Sequence, residues 1–238
     1  MVTLSNSALT GGGKIPKPGE ISLAHLGVLF LDELPEFQKN VLEVMRQPLE
    51  DGQVTISRVN ATLTYPSNFM LVSSMNPCPC GYYPNIDKCS CTPPQIRRYL
   101  NKISGPLLDR IDIHIEASNI QYNELNEFVK NETSKEIKER VKKAQQIQKN
   151  RYLNKTKGEG YFNANLHISN IEKYCVLGIE EKEIVKQAFQ TLNLSARAYH
   201  RILKVARTIA DLENSEDIKV NHLSEAIQYR TLDRKYWD

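Results

Sequence analysis

An α/β domain followed by an all-α domain is the fold that this sequence predicts, and two observations lead to it. Short and mostly apolar runs, Val28–Leu31 and Phe69–Ser74, are typical of strands that are buried on both faces of a parallel sheet. Beyond about residue 120 such runs disappear and helical patterns follow one another. We therefore predict a partial α/β domain over residues 1–118, a linker helix within residues 119–160 and a helical domain over residues 161–238.

The elements between the two apolar runs follow from turn residues and periodicity. The Gly- and Pro-rich stretch before them predicts a loop. Pro35 starts a helix, where its missing N–H costs nothing, and this helix should end before Pro48. Residues 54–57 and 62–65 predict the two strands of a β-hairpin, with Arg58 at its tip.

The rest of the chain is predicted to hold one more strand and a series of helices. A helix starts at Pro93-Pro94, and Ile111–Ile115 predicts a third strand. Thr133 and Glu136 have the spacing of a capping box at the start of a helix that reaches Tyr152. Further helices are predicted near residues 168–176, 180–192, 196–212 and 221–230.

Composition and charge exclude few classes of protein. The chain has 238 residues, with 40% hydrophobic and 25% charged residues, which is ordinary for a globular protein. No apolar run approaches the ~20 residues that a membrane-spanning helix needs, and the N-terminus lacks the pattern of a secretory signal. We therefore expect a cytoplasmic protein. A net charge of +3 is too small to decide on a nucleic-acid partner.

Two acids directly follow the first predicted strand. A buried strand carries Asp32 and Glu33 to the carboxyl edge of the sheet, where open α/β sheets bind their ligands. Asp32 is suited to hold the water shell of Mg²⁺, and Glu33 is suited to orient or deprotonate an attacking water. This is the Walker B pattern. The alternative is a strand that ends in exposed acids before a helix, where acids are favoured in any case.

The second predicted strand leads into an amide and a cysteine-rich loop. Asn76 follows this strand and should therefore lie beside the acids. Four cysteines of this loop follow the paired pattern C-x-C…C-x-C, and they are Cys78, Cys80, Cys89 and Cys91. Four thiolates with this spacing can bind a tetrahedral Zn²⁺ ion. Free thiols, or two disulfides after oxidation, are the alternative. Cys175 is predicted to be a core thiol.

Several segments together resemble one family. GVLFLDELPEF, VTISR, SSMNPCPCG, SGPLLDRID and LSARAYHRILKVARTIADL occur in this order. They are similar to successive blocks of the magnesium-chelatase-like AAA+ ATPases, and the ComM-type branch matches best. The resemblance covers about Gly11 to Arg230 and implies the C-terminal portion of an AAA+ P-loop ATPase core, followed by a helical lid.

The resemblance implies roles for individual residues. Asp32 and Glu33 correspond to Walker B, Asn76 to sensor 1, Arg110 to an arginine finger and Arg197 to the sensor-2 arginine. For Arg197 there is also a physical reason, because the first turn of a helix disfavours a cation unless an anion binds there. A solvent-facing Arg197 and a local ion pair of Arg110 with Asp109 or Asp112 are the alternatives.

The resemblance also implies segments that this sequence does not contain. The P-loop pattern G-x-x-x-x-G-K-[ST] does not occur in this sequence, since Gly13-Lys14 is followed by Ile15 and not by Ser or Thr. In the family the P-loop lies upstream, together with two strands, one of which separates the third predicted strand from its neighbour. We therefore expect that this chain alone is inactive as an ATPase. We also expect Ile111–Ile115 to pair with Phe69–Ser74, to pair with another chain or to lose its strand structure.

Three functions follow from the resemblance. The first is a ring-forming motor, a hexamer in the family, that binds ATP and Mg²⁺ and acts on DNA, as in branch migration during natural transformation. Arg58 corresponds to the position where related motors carry a basic residue into their pore, although an exposed turn arginine is the alternative. The second is a chelatase-type motor for Mg²⁺ insertion into porphyrin. The third is a non-catalytic lid and oligomerisation module.

Overall fold

The computed structural model of the chain describes residues 5–13, 16–58, 61–117, 132–153 and 162–232. It divides into two compact units, of which the first ends at Ile111 and the second begins at Asp112. The first is built around strands and short helices, and the second consists of helices. Within the described residues no helix has the length and apolar character that crossing a membrane requires.

The first unit contains six short strands and six short helices within the described residues. The strands are β1 Gly11–Gly12, β2 Lys17–Pro18, β3 Val28–Leu31, β4 Gln53–Arg58, β5 Ala61–Pro66 and β6 Met70–Ser73. The helices are α1 Asn6–Thr10, α2 Glu20–Leu23, α3 Lys39–Glu43, α4 Arg46–Asp51, α5 Pro93–Leu100 and α6 Gly105–Leu108. A 3-10 turn, Leu34–Glu36, follows β3.

The parallel sheet consists of β3 and β6, in register from Val28 opposite Met70 to Leu31 opposite Ser73. It confirms the two strands that the apolar runs predict. Burial on both faces is wrong, however, because Val28 and Phe30 are each 58% exposed and Met70 is 62% exposed. The other face packs on the core of the unit, which includes Leu31, Leu34, Val41, Leu42, Met45, Val54, Ile56, Ile103 and Leu107.

The predicted hairpin is present as β4 and β5, which pair antiparallel from Gln53 opposite Pro66 to Arg58 opposite Ala61. Its outer face carries hydroxyl pairs across the strands, such as Thr55 with Thr64 at 3.1 Å. The Tyr65 hydroxyl donates to the main-chain oxygen of Pro16 at 3.0 Å and so ties the hairpin to the chain near its beginning. Residues 59 and 60, the predicted tip, lie outside the described residues.

The glycine-rich stretch that precedes β3 brings two backbone segments close together. Gly11 has a φ of 97°, and a Cβ on it would stand 2.2 Å from the main-chain oxygen of Lys17. Only glycine therefore fits between β1 and β2 at this point. Part of the predicted loop, residues 14 and 15, lies outside the described residues.

The prediction of one continuous helix after β3 is wrong. The helix expected to end before Pro48 is broken into the 3-10 turn, α3 and α4, and α4 includes Pro48. Pro48 lies in the first turn of α4, where its missing N–H has no helical partner to lose.

The third predicted strand, Ile111–Ile115, is not a strand. Its main chain makes a hydrogen bond from His114 N to Tyr229 O at 3.0 Å, and Ile113 and Ile115 are 49% and 75% exposed. Of the three outcomes expected for this segment, loss of strand structure is the one found. A strand requires a neighbouring ladder, and none of the described residues supplies one here.

The second unit contains five helices within the described residues. They are α7 Ser134–Tyr152, α8 Ile168–Tyr174, α9 Ile179–Thr191, α10 Ala196–Leu212 and α11 Val220–Gln228. Thr133 caps α7 together with Glu136, and Ser195 Oγ accepts from Ala198 N at 3.1 Å at the start of α10. The predicted capping box and helices are thereby confirmed. The expected linker region around α7, residues 118–131 and 154–161, lies outside the described residues.

Apolar side chains from all five helices form the core of this unit, with α10 at its centre. The buried members include Tyr152, Ile171, Val185, Ile202, Leu203, Ala206 and Leu223. Cys175 is also among them and is 3% exposed, which confirms the predicted core thiol. Burial raises the pKa of this thiol to about 11. A polar network around Asp211 lies beside this core.

Candidate functional site

The carboxyl ends of β3 and β6 bring polar groups together. Because the two strands are parallel and adjacent, the residues that follow Leu31 and Ser73 meet at one edge of the sheet. Ser74 Oγ donates a short hydrogen bond to Asp32 Oδ1, and Glu33 N donates to the same oxygen at 3.0 Å. Asp32 is exposed. Its carboxylate is therefore held in one orientation while it remains open to solvent.

Glu33 has an unusual backbone conformation. Its φ of 50° and ψ of 51° are left-handed, which is uncommon for a residue other than glycine, asparagine or aspartate. The following residue explains how the chain holds this turn, because Leu34 is buried and its N–H donates to Ser74 O at 2.9 Å. Such local strain is concentrated at functional sites, and here it places an exposed carboxylate beside Asp32.

Asn76 lies beyond β6, and its side chain is exposed. A Cβ built on Gly81 would stand 3.9 Å from both Cγ and Oδ1 of Asn76, so the amide lies against this glycine. Met75, the residue before Asn76, packs against the buried cluster that contains Tyr99, and the main chain of Asn76 lies near the Tyr99 hydroxyl. Tyr99 is 6% exposed, and its burial, followed by the Glu36 carboxylate, raises its pKa to about 12.

Sequence reasoning missed Ser74 and Tyr99. Ser74 occupies the first position after β6, and the same strand-end argument that selects Asp32 could have found it. Tyr99 carries no such signal, because an aromatic residue at a buried helix position is usually only part of a core. Its link to Asn76 depends on how α5 packs, which a sequence pattern does not reveal.

The oxygen donors at this edge fit a hard cation. A carboxylate and a neighbouring hydroxyl are the kind of ligand that Mg²⁺ accepts directly or through water. The described residues include no glycine-rich cradle at a helix N-terminus for phosphates. What this edge can hold is accordingly a hydrated metal ion.

Arg110 lies at the end of α6 and is held from two sides. Its Nε lies 3.0 Å from Glu50 Oε2, and its Nη1 donates to Pro106 O at 2.7 Å. The side chain is only 10% exposed. The local alternatives for an ion pair with Arg110 are Asp109 and Asp112. Glu50 is more distant in sequence than either of them, and Asp112 makes an ion pair with Arg201.

The two other predicted arginines lie on separate elements. Arg197 belongs to the second unit, where it is exposed at the second position of α10, two residues after the Ser195 cap. Arg58 is the last residue of β4. Its side chain, like the tip of the hairpin, lies outside what the structure describes.

The four cysteines of the loop between β6 and α5 come together as one cluster. Their Sγ atoms all lie within 4.8 Å of one another. The distances from Cys78 to Cys80, from Cys78 to Cys89 and from Cys80 to Cys89 are 3.3, 3.8 and 3.6 Å. A tetrahedron with Zn–S bonds of ~2.3 Å has S–S edges of about 3.8 Å. The cluster could therefore hold a tetrahedral metal ion without rearranging the chain.

The main chain of the loop supports negative charge on this cluster. Tyr83 N donates to Cys78 Sγ at 3.4 Å. A main-chain hydrogen bond from Tyr82 is the main cause that lowers the pKa of Cys80 to about 6. Desolvation, and then the neighbouring Cys80, raise the pKa of Cys91 to about 12. One thiolate thus forms readily, and complete deprotonation of the four thiols requires a cation among them.

A parallel sheet with two acids at its carboxyl edge, followed by a separate helical unit, is the arrangement of the AAA+ class of proteins. Comparison with known families identifies the branch. The family described as magnesium chelatase, subunit ChlI, matches residues 2–125, and the family described as magnesium chelatase, subunit ChlI C-terminal, matches residues 131–230. The chain belongs to the magnesium chelatase subunit ChlI family of AAA+ proteins.

Individual relatives support this assignment. The chain is 48% identical over 231 residues to the competence protein ComM of Haemophilus influenzae and 46% identical to the YifB protein of Salmonella typhimurium. Each of these alignments covers 97% of this chain and 44% of the relative. A magnesium-chelatase subunit ChlI of Guillardia theta is 27% identical over 157 residues, which is 59% of this chain and 38% of that protein. The chain thus spans less than half the length of the curated relatives that it matches.

Proposed function

We propose that this chain forms part of a cytoplasmic, ATP-dependent and ring-forming motor that works on DNA. The observation that carries the ATPase part is the meeting of Asp32 and Ser74 at the ends of two adjacent parallel strands. Asp32 holds the water shell of the metal, Glu33 orients the attacking water, and Asn76 helps to hold that water near the terminal phosphate. Mg²⁺, when bound with ATP, neutralises charge that develops on the phosphates.

The arginines supply positive charge from two elements of the chain. Arg110, fixed by Glu50 at the end of α6, is proposed to reach the nucleotide of a neighbouring subunit in a hexameric ring. Arg197 lies in the first turn of α10, where the helix dipole disfavours a cation and an anionic phosphate would relieve that cost. The role of Arg110 requires nucleotide-dependent self-association, in which each subunit completes its neighbour's site.

The similarity to the ComM-type branch supports DNA as the proposed substrate. Identity is 48% to a protein named competence protein ComM, against 27% over a shorter alignment to a magnesium-chelatase subunit. The β4–β5 hairpin ends in Arg58, and a basic hairpin tip can grip phosphates without reading sequence. The alternative is a chelatase-type motor, which the family description favours, and a non-catalytic module is a third outcome.

The experiment for DNA binding uses the full-length gene product and a fluorescent DNA duplex or single strand of random sequence. We expect an affinity whose logarithm falls linearly with the logarithm of salt concentration, because binding to phosphates releases counterions. Arg58→Ala should weaken DNA binding. It should also reduce the steepness of the plot of log affinity against log salt concentration, the salt slope, by about 1 for each subunit whose arginine binds a phosphate of the strand. Fluorescence anisotropy over a salt series measures both.

Arg97→Ala is the matched control, because it removes the same charge from an exposed position on α5. It should leave the salt slope unchanged. Equal effects of the two substitutions would contradict a specific role of Arg58. Absence of DNA binding, together with ATP hydrolysis that a porphyrin-chelatase partner stimulates, would favour the alternative function.

We further propose that Cys78, Cys80, Cys89 and Cys91 bind Zn²⁺. Protein purified under reducing conditions without added zinc should contain one Zn²⁺ per chain, because the four thiolates form a single tetrahedral site with no open coordination position. Replacement by Co²⁺ should give the absorption bands of a tetrahedral thiolate site. Cys78→Ser should remove both signals, and Cys175→Ser, the control in the core of the second unit, should leave them intact. Four reactive thiols and no metal in the reduced protein would rule the site out.

A further inference from the structure

The cysteine cluster and the acidic edge of the sheet are joined by a short path within the first unit. Cys78 follows Asn76 by two residues, and Gly81 N donates to Cys78 O at 3.0 Å, which closes a turn against the Asn76 amide. The loop that would wrap the metal is thus the loop that shapes the surroundings of Asn76.

A second path runs through helix α5. The buried Cys78 packs with Ile96, Tyr99 and Leu100, and the other three cysteines pack against the same group. Cys91 directly precedes Thr92, the residue that caps α5 with Gln95. A metal bound to Cys91 would therefore fix the start of α5, and α5 carries Tyr99, a member of the buried cluster against which Met75 packs directly before Asn76.

Without a metal, these contacts rest on few buried side chains. The apolar cluster under the loop has four buried members, of which one is Cys78 itself. Met75 and Asn76 lie beyond the last sheet hydrogen bond, which Ser74 N donates to Leu31 O, and the side chain of Asn76 is exposed. Loops with little buried apolar surface open easily, and a metal that cross-links both ends of the loop opposes this opening.

We infer that the metal at the four cysteines is a positioning device for Asn76: it holds the Gly81 turn and α5, and through Tyr99 it fixes the main chain that presents the amide to the acidic edge. This inference rests on the proposed zinc binding and on the proposed role of Asn76. Tyr99 is a positioning residue, because it lies near the main chain of Asn76 and not at the reacting atoms. Loss of the metal therefore disturbs the edge of the site without removing any of its side chains.

The decisive experiment measures hydrogen exchange in the full-length gene product, as purified, after metal removal with a chelator and reductant, and after reloading with Zn²⁺. Metal removal should accelerate exchange of the Met75 and Asn76 amides by about tenfold or more, the change expected when opening of the loop costs about one hydrogen bond less. Reloading should restore the slow rate. Tyr99→Phe should keep the metal and accelerate exchange of the same amides, since it removes only the hydroxyl.

ATP hydrolysis provides the second readout. Metal removal and Tyr99→Phe should lower kcat, and KM for ATP should change by less than about twofold, because an amide that acts on the attacking water contributes to the transition state only. Cys175→Ser should change neither exchange nor kcat.

The outcomes separate the inference from the proposals beneath it. Unchanged exchange of the Met75 and Asn76 amides after verified metal loss would overturn the positioning role even if zinc binding is real. Failure to bind metal at all would overturn it as well. Metal-dependent exchange in a protein without ATPase activity would support the positioning role and contradict the proposed ATPase function.

Discussion

Replacement of Glu33 by glutamine in the full-length gene product should lower kcat for ATP hydrolysis by about 10²–10⁴-fold, the usual contribution of a general base. The change keeps the shape of the side chain and removes its ability to take a proton from water. Asp32 remains held by Ser74 Oγ, so Mg²⁺ and nucleotide should still bind. Steady-state hydrolysis gives kcat, and a fluorescent ATP analogue gives the affinity, which should change by less than about threefold on this argument.

Glu36→Gln is the matched control for this prediction. Glu36 is another exposed glutamate of the same turn, and Glu36→Gln removes one charge in the same way. It should reduce kcat by no more than a few-fold. Equal losses from both substitutions would show that the general charge of the turn matters and not a base at Glu33. Full activity of Glu33→Gln would exclude Glu33 as the base.

Features that depend on neighbouring residues could be predicted from the sequence. The Thr133 and Glu136 capping box and the Ser195 cap lie where the sequence places them, because a cap needs only a side chain and an N–H three residues later. The β4–β5 hairpin is confirmed for the same reason. These elements need no information about distant parts of the chain.

Features that depend on distant segments could not be predicted. The apolar sequence of Val28–Leu31 indicates burial on both faces, yet Val28 and Phe30 are exposed among the described residues. The pattern of residues shows that a segment is apolar, but it does not show which other element packs against each of its faces. Ile111–Ile115 has the composition of a strand and no ladder to join among the described residues, so composition alone predicts it wrongly.

The candidate site was predictable to a similar extent. Strand ends select Asp32 and Asn76, since adjacent parallel strands end at one edge whatever the rest of the fold does. The cysteine spacing predicts a cluster, which the Sγ distances confirm. Tyr99 could not be found, because its role depends on the packing of α5. The ion pair of Arg110 with Glu50 likewise depends on how α6 meets α4.

The helical unit contains a buried polar network that makes a separate prediction about stability. Asp211 is fully buried and accepts hydrogen bonds from Arg151, from Arg207 Nε at 3.1 Å and from Asn163 Nδ2 at 2.9 Å. Arg207 is 4% exposed in its side chain and also donates to Glu216 O and Ser215 O. One carboxylate thus compensates two guanidinium groups beside the core of α10.

Asp211→Ala should lower the free energy of unfolding of the helical unit by about 3–5 kcal/mol, the usual cost of removing one partner from a buried ion pair. The cost arises because Arg207 stays buried while its charge loses the carboxylate. Hydrogen exchange of the α10 amides measures this unit directly, without assuming that the whole protein unfolds in one step. Glu139→Ala is the control, since its ion pair with Lys142 is more than half exposed on both sides and should contribute less than about 1 kcal/mol. A loss below about 1 kcal/mol for Asp211→Ala would mean that water or a rearranged arginine replaces the carboxylate, and the network would then contribute little to the stability of the unit.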